Sequence, residues 1–505
     1  MTTYVDVGIQ RIQAHLARSR HLWGRRGASE EVVRLTMSPA AAKEKGIEAP
    51  PMAEVLALSG IEANDEAIDI DGVLSFKGRF EDDARDAGLL LARRLRTRLP
   101  GLTVQVSWIT ADVQPETGIE ERYIDLLDPA QSRRWEKVTF RPAPYEFPLV
   151  RLCDECKVDP ASHQAGKRFP DDPGVAPRLC ADCFRRREHA ERRRRTVVSI
   201  GPKHPNKFCV EWWLLSEINQ ARGGEELKGV DDLGKLGEMI RPDAAGHVRT
   251  HRDNHTALVF ADGNGLGGLF EAAHRAAVEA GSTLEMQALS KGIGEALIVA
   301  LKAATEKIIL PGDDRLPVVP HVMGGDDLLV SLPAERCWEF LVEFLTRFQD
   351  AAEGLGVGDR RVSMSAGMVI SKAELPLANQ VEIAEQLLKR AKRGVDGQGW
   401  SFTWLDVTQD GPGGEHEVWT LEGLKDREPA LGYLGEMSAN SVQSIGGTLT
   451  SRDLGVMAQK LEYLAKRVDE VKCLLDKAGI KPSDRFDDSD ARALKDLLSI
   501  NRWWR

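Results

Sequence analysis

Two short stretches concentrate acidic residues where a chain can hold them still. In Ala257-Leu-Val-Phe-Ala-Asp262-Gly263-Asn264-Gly-Leu-Gly267 an apolar run of strand length ends on Asp262 and then turns through glycines, so the carboxylate sits where a buried strand reaches its edge. In His321-Val-Met-Gly324-Gly325-Asp326-Asp327-Leu-Leu-Val330 two glycines separate two apolar runs, the pattern of a hairpin with Asp326 and Asp327 at its tip. If the hairpin pairs with the strand ending at Asp262, three carboxylates converge within reach of one divalent cation, or of two. Mg2+ and Mn2+ bind through such hard oxygens and keep open positions for a triphosphate and water. A pair of these ions activates a ribose hydroxyl and neutralises the pyrophosphate that leaves. The residues therefore propose nucleotidyl transfer, although Gly-Gly-Asp-Asp is also a sequence that hairpin turns favour for backbone reasons alone.

The elements that must position these side chains follow from the periodicity between and after them. Leu284–Leu289 and Ile293–Lys302 repeat apolar residues at helical spacing, as does Cys337–Phe348 beyond the hairpin. A strand is expected over Arg361–Ile370 and a helix over Val381–Lys392. Strand, helices, strand, strand, helix, strand, helix is the order of a ferredoxin-like palm.

Residues 251 to about 405 resemble the palm of the large polymerase-like subunit of type III CRISPR effector complexes. The resemblance is carried by Ala261-Asp262-Gly263, Gly267, the helix near Leu289-Ser290, Gly324-Gly325-Asp326-Asp327, Ser365-Ala366-Gly367 and Ala391-Lys392. Diguanylate cyclases share the palm, but a phenylalanine follows their acidic turn where this chain has Leu328. The resemblance implies a nucleotidyltransferase that makes a cyclic oligonucleotide messenger, usually cyclic oligoadenylate from ATP, within an RNA-guided antiviral complex. Guide RNA, target RNA and other effector subunits are then its partners. Asp262 and Asp326 are implied as metal ligands with Asp327 beside them, and Gly263, Asn264, Gly324 and Gly325 as nucleotide neighbours. Lys392 is implied to meet the triphosphate and Ser290 to approach the base. Without the resemblance, Lys392 reads as a solvated helix residue and Ser290 as a helix N-cap. The family often has a second Asp where this chain has Asn264, whose amide offers a neutral oxygen and one negative charge fewer.

The fold class expected is α+β, with two ferredoxin-like palms, an intervening zinc ribbon and a C-terminal helical domain. Residues 1–145 repeat the succession strand, helix, hairpin, helix, strand without a Gly-Gly-Asp-Asp, and Asp69 and Asp71 read as turn residues. This first palm resembles the family's non-catalytic one, which implies a composite nucleotide pocket between palms. Arg25 and Arg26 are candidates to line it, or are free surface arginines. Within residues 146–200, Cys153-Asp-Glu-Cys156 and Cys180-Ala-Asp-Cys183 have the spacing of a ribbon that gives four thiolates to one structural Zn2+, with His163 not needed. Seven arginines then fall between Arg185 and Arg195, a run suited to an RNA backbone or a protein partner, or to a solvated helix. Residues 201–250 read as a helical connector, and His247, His251 and His255 as non-metal residues. Residues 251–410 form the catalytic palm, and residues 411–505 a helical domain with one long helix over Asp453–Leu475 and a Trp-rich end able to dock on a neighbour. Similarity to the family in this last part is architectural, and there the domain contacts small subunits.

At 505 residues and net charge -10 the chain is not a basic nucleic-acid protein as a whole, so any RNA contact must be local. No apolar run has membrane-spanning length and Met1 leads straight into an amphipathic pattern, which predicts a cytoplasmic location and no membrane partner. The His-Asp pair of an HD nuclease is absent, so DNA cleavage is not expected. Two other functions remain open: a stand-alone defence cyclase making a smaller ring, and a catalytically silent scaffold, which Asn264 favours.

Overall fold

Alternation of apolar and polar residues in Tyr4-Val-Asp-Val-Gly-Ile makes the first element a half-buried strand, with Val5, Val7 and Ile9 on its core face. A computed structural model describes this strand and the rest of residues 1–19, 22–44, 48–67, 72–113, 118–142, 150–166, 176–199, 210–222, 226–230, 232–240, 254–280, 284–409, 416–482 and 486–504. Asp69, Asp71, Cys209, His247 and His251 lie outside the described residues.

The chain is mixed α+β. β1 (Thr3–Gln10) leads into α1 (Ile12–Ala17), α2 (Leu22–Thr36), α3 (Pro39–Glu44) and α4 (Pro51–Leu56). Then come β2 (Ile61–Ala63), β3 (Val73–Gly78), α5 (Glu81–Arg98), β4 (Thr103–Thr110), α6 (Tyr123–Leu126) and β5 (Glu136–Phe140). The strands form an antiparallel sheet in the order β2-β3-β1-β4-β5, and α5 covers the face of Val5, Val7 and Ile9 through Leu91 and Leu95.

The cysteine segment has two short strands, β6 (His163–Gln164) and β7 (Arg178–Leu179), and a helix, α7 (Ala181–Ser199). It is fastened to the first sheet's helices by buried polar contacts. Gly101 N donates to Asp182 at 2.9 Å, Arg186 meets Asp182 at 2.9 Å and the His15 carbonyl at 2.6 Å, and Arg18 pairs with Asp159. Gly27 brings α2 so close to α7 that a Cβ there would lie 2.2 Å from the Arg186 carbonyl oxygen.

α8 (Val210–Arg222) and α9 (Leu233–Gly237) precede the second sheet. Its elements are β8 (His255–Gly263), α10 (Leu266–Ala280), α11 (Leu284–Ile308), β9 (Val319–Gly324), β10 (Asp327–Pro333), α12 (Cys337–Ala351), the small hairpin β11 (Gly356–Val357) and β12 (Arg360–Arg361), β13 (Met364–Lys372), α13 (Leu377–Gly394), β14 (Ser401–Asp406) and β15 (Trp419–Thr420). The order is β15-β14-β13-β8-β10-β9, antiparallel throughout except for β13 beside β14. α11 and α12 cover one face with the stripe Trp338, Phe340, Phe344 and Phe348, each at most 1% exposed. Each contributes about 2–3 kcal/mol by leaving water. α13 covers the other face over Leu258, Phe260 and Leu329.

Two helical expectations change. Leu284–Leu289 and Ile293–Lys302 are one helix, because burial of Met286, Leu289, Ile293, Ala296 and Leu297 outweighs the local cost of Gly292 and Gly294. Asp453–Leu475 is two helices, α16 (Leu454–Arg467) and α17 (Asp469–Lys477), parted by an extended Val468. With α14 (Leu421–Glu436), α15 (Ala439–Thr448) and α18 (Asp488–Asn501) they pack on the second sheet in one continuous apolar core. The Trp-rich end is part of that packing and not a free docking segment: Trp503 is 1% exposed, and its Nε1 donates to Asp406 Oδ2 at 2.8 Å. Among the described residues no helix is long and apolar enough to cross a membrane.

Candidate active site

The acidic residues meet because β8 lies between β10 and β13, with its last residues level with the β9–β10 turn. Gly324 pairs with Asp327, leaving Gly325 and Asp326 as a two-residue turn. Gly325 has φ +59°, the positive angle that a type II′ hairpin turn places at its first central residue. One ligand oxygen from each of Asp262, Asp326 and Asp327 lies within 4.8 Å of the others. Gly263 N donates to Asp326 Oδ2 at 3.0 Å, and a Cβ at 263 would stand 2.7 Å from that oxygen and push the carboxylate aside.

Lys392 reaches the same place from the last turn of α13. Its ammonium bonds Asp262 and donates to the Gly263 carbonyl at 2.6 Å. Gly367 makes this possible by letting α13 lie directly on β13; a Cβ there would come within 2.3 Å of the Ala384 carbonyl oxygen. Burial works to raise the Asp262 pKa, but hydrogen bonds with Asp326, Asp327 and Lys392 outweigh it and hold the group below the usual carboxylate range. Burial, then the neighbouring Asp262, push Asp326 and Asp327 well above that range. Three crowded carboxyls of this kind ionise together only when a cation joins them. The oxygen-only donor set suits Mg2+ or Mn2+.

Other expected residues are placed differently. Asn264 is 4% exposed and faces away from the acidic cluster: Nδ2 donates to the Gly399 carbonyl at 2.7 Å, and Oδ1 accepts from Ser365 at 2.8 Å. Its missing charge therefore says nothing about the cation. Ser290 lies well inside α11, half-buried, and is not an N-cap. Arg25 is buried and donates to the Ser19 carbonyl, while Arg26 pairs with Glu211 and the Val230 carbonyl, so neither is a free surface arginine. Of the arginine run, Arg186 and Arg187 are buried against α2, and Arg185 pairs with Glu188; helical periodicity turned part of the run inward. His255 is buried beside Trp503 at 5.2 Å, in no metal cluster among the described residues.

The four cysteines come together as their spacing suggests. Cys153, Cys156, Cys180 and Cys183 are all buried with sulfurs within 4.8 Å of one another, and Cys156 and Cys180 are 3.9 Å apart. That separation is far too long for a disulfide. It is close to the roughly 3.8 Å edge of a tetrahedron with Zn–S bonds near 2.3 Å. His163 lies outside the cluster, stacked on Phe184 at 4.7 Å.

A second feature had gone unread in the sequence. On the face of the first sheet that α5 leaves open, a cavity of about 370 Å³ is lined by Asp6, Gly8, Gln10, Ser75, Gln105 and Tyr123 among others. Tyr123 donates to Asp6 Oδ2 at 2.9 Å, whereas Oδ1 has no hydrogen-bond partner among the described residues; burial raises the pKa of this carboxyl. The signal was the alternation of Asp6, Gly8 and Gln10 on the polar side of β1. Beyond the cavity α6, which carries Tyr123, packs on α10, where His274 Nε2 meets the Ile124 carbonyl at 2.5 Å.

Residues 255–398 match the family model described as Cas10/Cmr2, second palm domain. No curated protein sequence matches the chain. Among solved structures, the Csm1-Csm4 cassette in complex with pppApA is similar at TM-score 0.51 and 11% identity, over 99% of this chain and 69% of that one. The Csm1-Csm4 subcomplex in the type III-A CRISPR-Csm interference complex is similar at TM-score 0.50 and 12% identity, over the same shares. At these identities the likeness shows a common fold.

Proposed function

We propose that this chain, whose residues 255–398 are a Cas10/Cmr2-type second palm, is a nucleotidyltransferase that joins ATP molecules into a cyclic oligoadenylate as a subunit of a type III CRISPR complex. The observation that carries this reading is the convergence of Asp262, Asp326 and Asp327 at one strand–hairpin junction, with Lys392 reaching over it. Asp262, Asp326 and Asp327 would hold the Mg2+ or Mn2+, which supplies charge neutralisation and a more acidic hydroxyl. Lys392 would bind the triphosphate, and the glycines at 263, 324 and 325 leave room for it. The 3′-oxygen of one nucleotide forms a bond to the α-phosphorus of the next, its proton leaves, and the bond to pyrophosphate breaks.

The first sheet is read as a companion palm, with the cavity around Asp6 and Gln105 as its contribution to a composite nucleotide pocket. The cluster of four cysteines is read as a structural zinc site, since four buried thiols leave no open position for chemistry. Residues 1–145, 146–200, 201–250, 251–410 and 411–505 remain our division of the chain, and the cytoplasm its expected location. The structures with Csm4 and with pppApA support partner subunits and an adenylate product by likeness of fold. A silent scaffold loses its one argument, because Asn264 does not face the cation site. Guide and target RNA are the expected activators.

The test is mass spectrometry of products from ATP, then from all four nucleotides, with Mg2+ and Mn2+, on the purified chain and on the complex from its host. A cyclic adenylate lost in Asp326→Ala supports the reading. No product from either preparation, with ATP still bound, defeats it in favour of the scaffold.

A further inference from the structure

The turn that follows Asp262 and the helix that carries Lys392 are joined a second time, behind the site, by buried side chains that the proposed reaction does not use. Asn264 is 4% exposed, and Ser365 and Ser401 are fully buried. The Asn264 amide has only one orientation, because the Gly399 carbonyl 2.7 Å from Nδ2 can only accept. Nδ2 also reaches Ser363 Oγ at 3.3 Å. Oδ1 therefore needs a donor, and Ser365 Oγ at 2.8 Å gives it its single proton. Ser365 is left to accept from Ser401 Oγ at 2.7 Å, and Ser401 shares its proton with the Ala391 carbonyl at 3.0 Å. Ala391 immediately precedes Lys392, whose ammonium returns to Asp262 and the Gly263 carbonyl. The circuit closes on itself: β8 and its loop, β13, β14, the end of α13, and β8 again.

We infer that Asn264, Ser365 and Ser401 are positioning residues that fix Lys392 relative to Asp262 for a nucleoside triphosphate, and that position 264 is a core hydrogen-bond donor and not a cation ligand. The inference rests on the nucleotidyl-transfer reading above. Apolar side chains would fill this interior at lower cost, because buried polar groups must all be satisfied. What the polar chain adds is direction, since the Gly399 carbonyl fixes the Asn264 amide and the amide oxygen fixes the one proton of Ser365. A carboxylate at 264 would instead set an oxygen 2.7 Å from the Gly399 carbonyl oxygen. The first sheet supplies a contrast: Gln10 Nε2 donates to Gln105 Oε1 at 2.5 Å across the equivalent pair, β1 and β4, and among the described residues no lysine lines the cavity on that face.

A double-mutant cycle on the full chain tests this, with equilibrium binding of ATP in Ca2+ read by calorimetry. Ser401→Ala alone is expected to weaken binding about fivefold, and Lys392→Met about 30-fold. The double variant should bind no more weakly than Lys392→Met, because two changes acting through one contact are not additive. An undiminished effect of Ser401→Ala in the Lys392→Met background overturns the inference, since a serine serving only the fold behaves that way. Ser401→Cys, which keeps a donor, should recover at least half of the lost affinity. For position 264, Mn2+ titration followed by electron paramagnetic resonance should show no tighter binding in Asn264→Asp; tighter binding overturns the core-donor assignment. Failure of the unmodified chain to bind ATP would defeat the nucleotidyl-transfer reading and this inference with it, whereas an additive cycle on an ATP-binding chain defeats the inference alone.

Discussion

β1 and β8 hold the same place in their sheets, each central, each flanked by an antiparallel hairpin strand on one side and by the strand after a long helix on the other. Matched by pairing and by face, Gly8 stands where Asp262 does, Val73 where Asp327 does, and Gln105 where Ser365 does. Their core faces are interchangeable in kind: Val5, Val7 and Ile9 under α5, Ala257, Val259 and Ala261 under α11 and α12. The opposite faces are not. One is sealed by α13, which Gly367 admits and which brings Lys392; the other stays open as the cavity around Asp6. The architecture is thus set by one face of each sheet, and the chemistry by a few positions on the other.

The largest effect expected is from Asp326→Ala or Asp262→Asn, either of which should lower product formation at least about 1,000-fold, the scale of losing a cation that stabilises the transition state by several kcal/mol. Chromatography of products reads it, and retention of a tenth of the activity would mean that the first sheet has a site of its own. Placing carboxylates on that sheet, with Gly8→Asp and Val73→Asp, is sterically open, since a Cβ at Gly8 meets only Val73 Cγ2 at 3.8 Å. Added to Asp262→Asn, these changes should restore no product, because no lysine is among the described residues that line the cavity beside them; any recovery would break the distinction.

Cys180→Ser should abolish bound zinc, measured by mass spectrometry of the metal, and lower the melting temperature by several degrees. Since the cluster lies outside both sheets, product formation at 20 °C should stay within about threefold of the parent; a larger loss would tie the cysteine cluster to the acidic site of the second sheet.

A smaller effect separates the sheets by pH. The folded chain raises Asp326 to about 7 and Asp327 to about 8, through burial first and Asp262 second. A raised folded value means that this contribution to stability is complete below the unfolded pKa, about 4, and is lost as pH rises through about 7 and about 8. In EDTA the melting temperature should therefore fall between pH 5.5 and 8.5, at about 2–4 °C per kcal/mol lost. Asp326→Asn with Asp327→Asn should flatten the slope, and Mg2+ should raise the melting temperature more at pH 8.5 than at pH 5.5. A slope unchanged in the double variant would assign it to other groups, Asp6 among them.

The sequence showed what repeats or is spaced along the chain. Asp262 at a strand end, the Gly324-Gly325 hairpin and the paired Cys-x-x-Cys motifs each lie within a few residues and depend on backbone geometry that composition dictates. Side-chain direction across the fold was hidden. Asn264 lies two residues beyond Asp262, yet Gly263 and the positive φ of Gly265 turn its amide into the sheet, towards Ser365, a partner 101 positions away. Arg186 reads as one more charge in a basic run, yet α2 packs on it and buries it. α10 was missed because Gly267 and Gly268 weaken its first turn, while burial of Leu269, Ala273 and Ala277 secures it from a distance.

The seating of Trp503 has a consequence for how the protein is made. This residue packs against His255, the first residue of β8, and bonds Asp406 at the end of β14. A ribosome that has finished β14 must still translate about a hundred codons before that support arrives, some 5–20 s at common elongation rates. During that interval the second sheet lacks its final cover, so a nascent chain should acquire protease resistance in this region only once its last helix has left the exit tunnel.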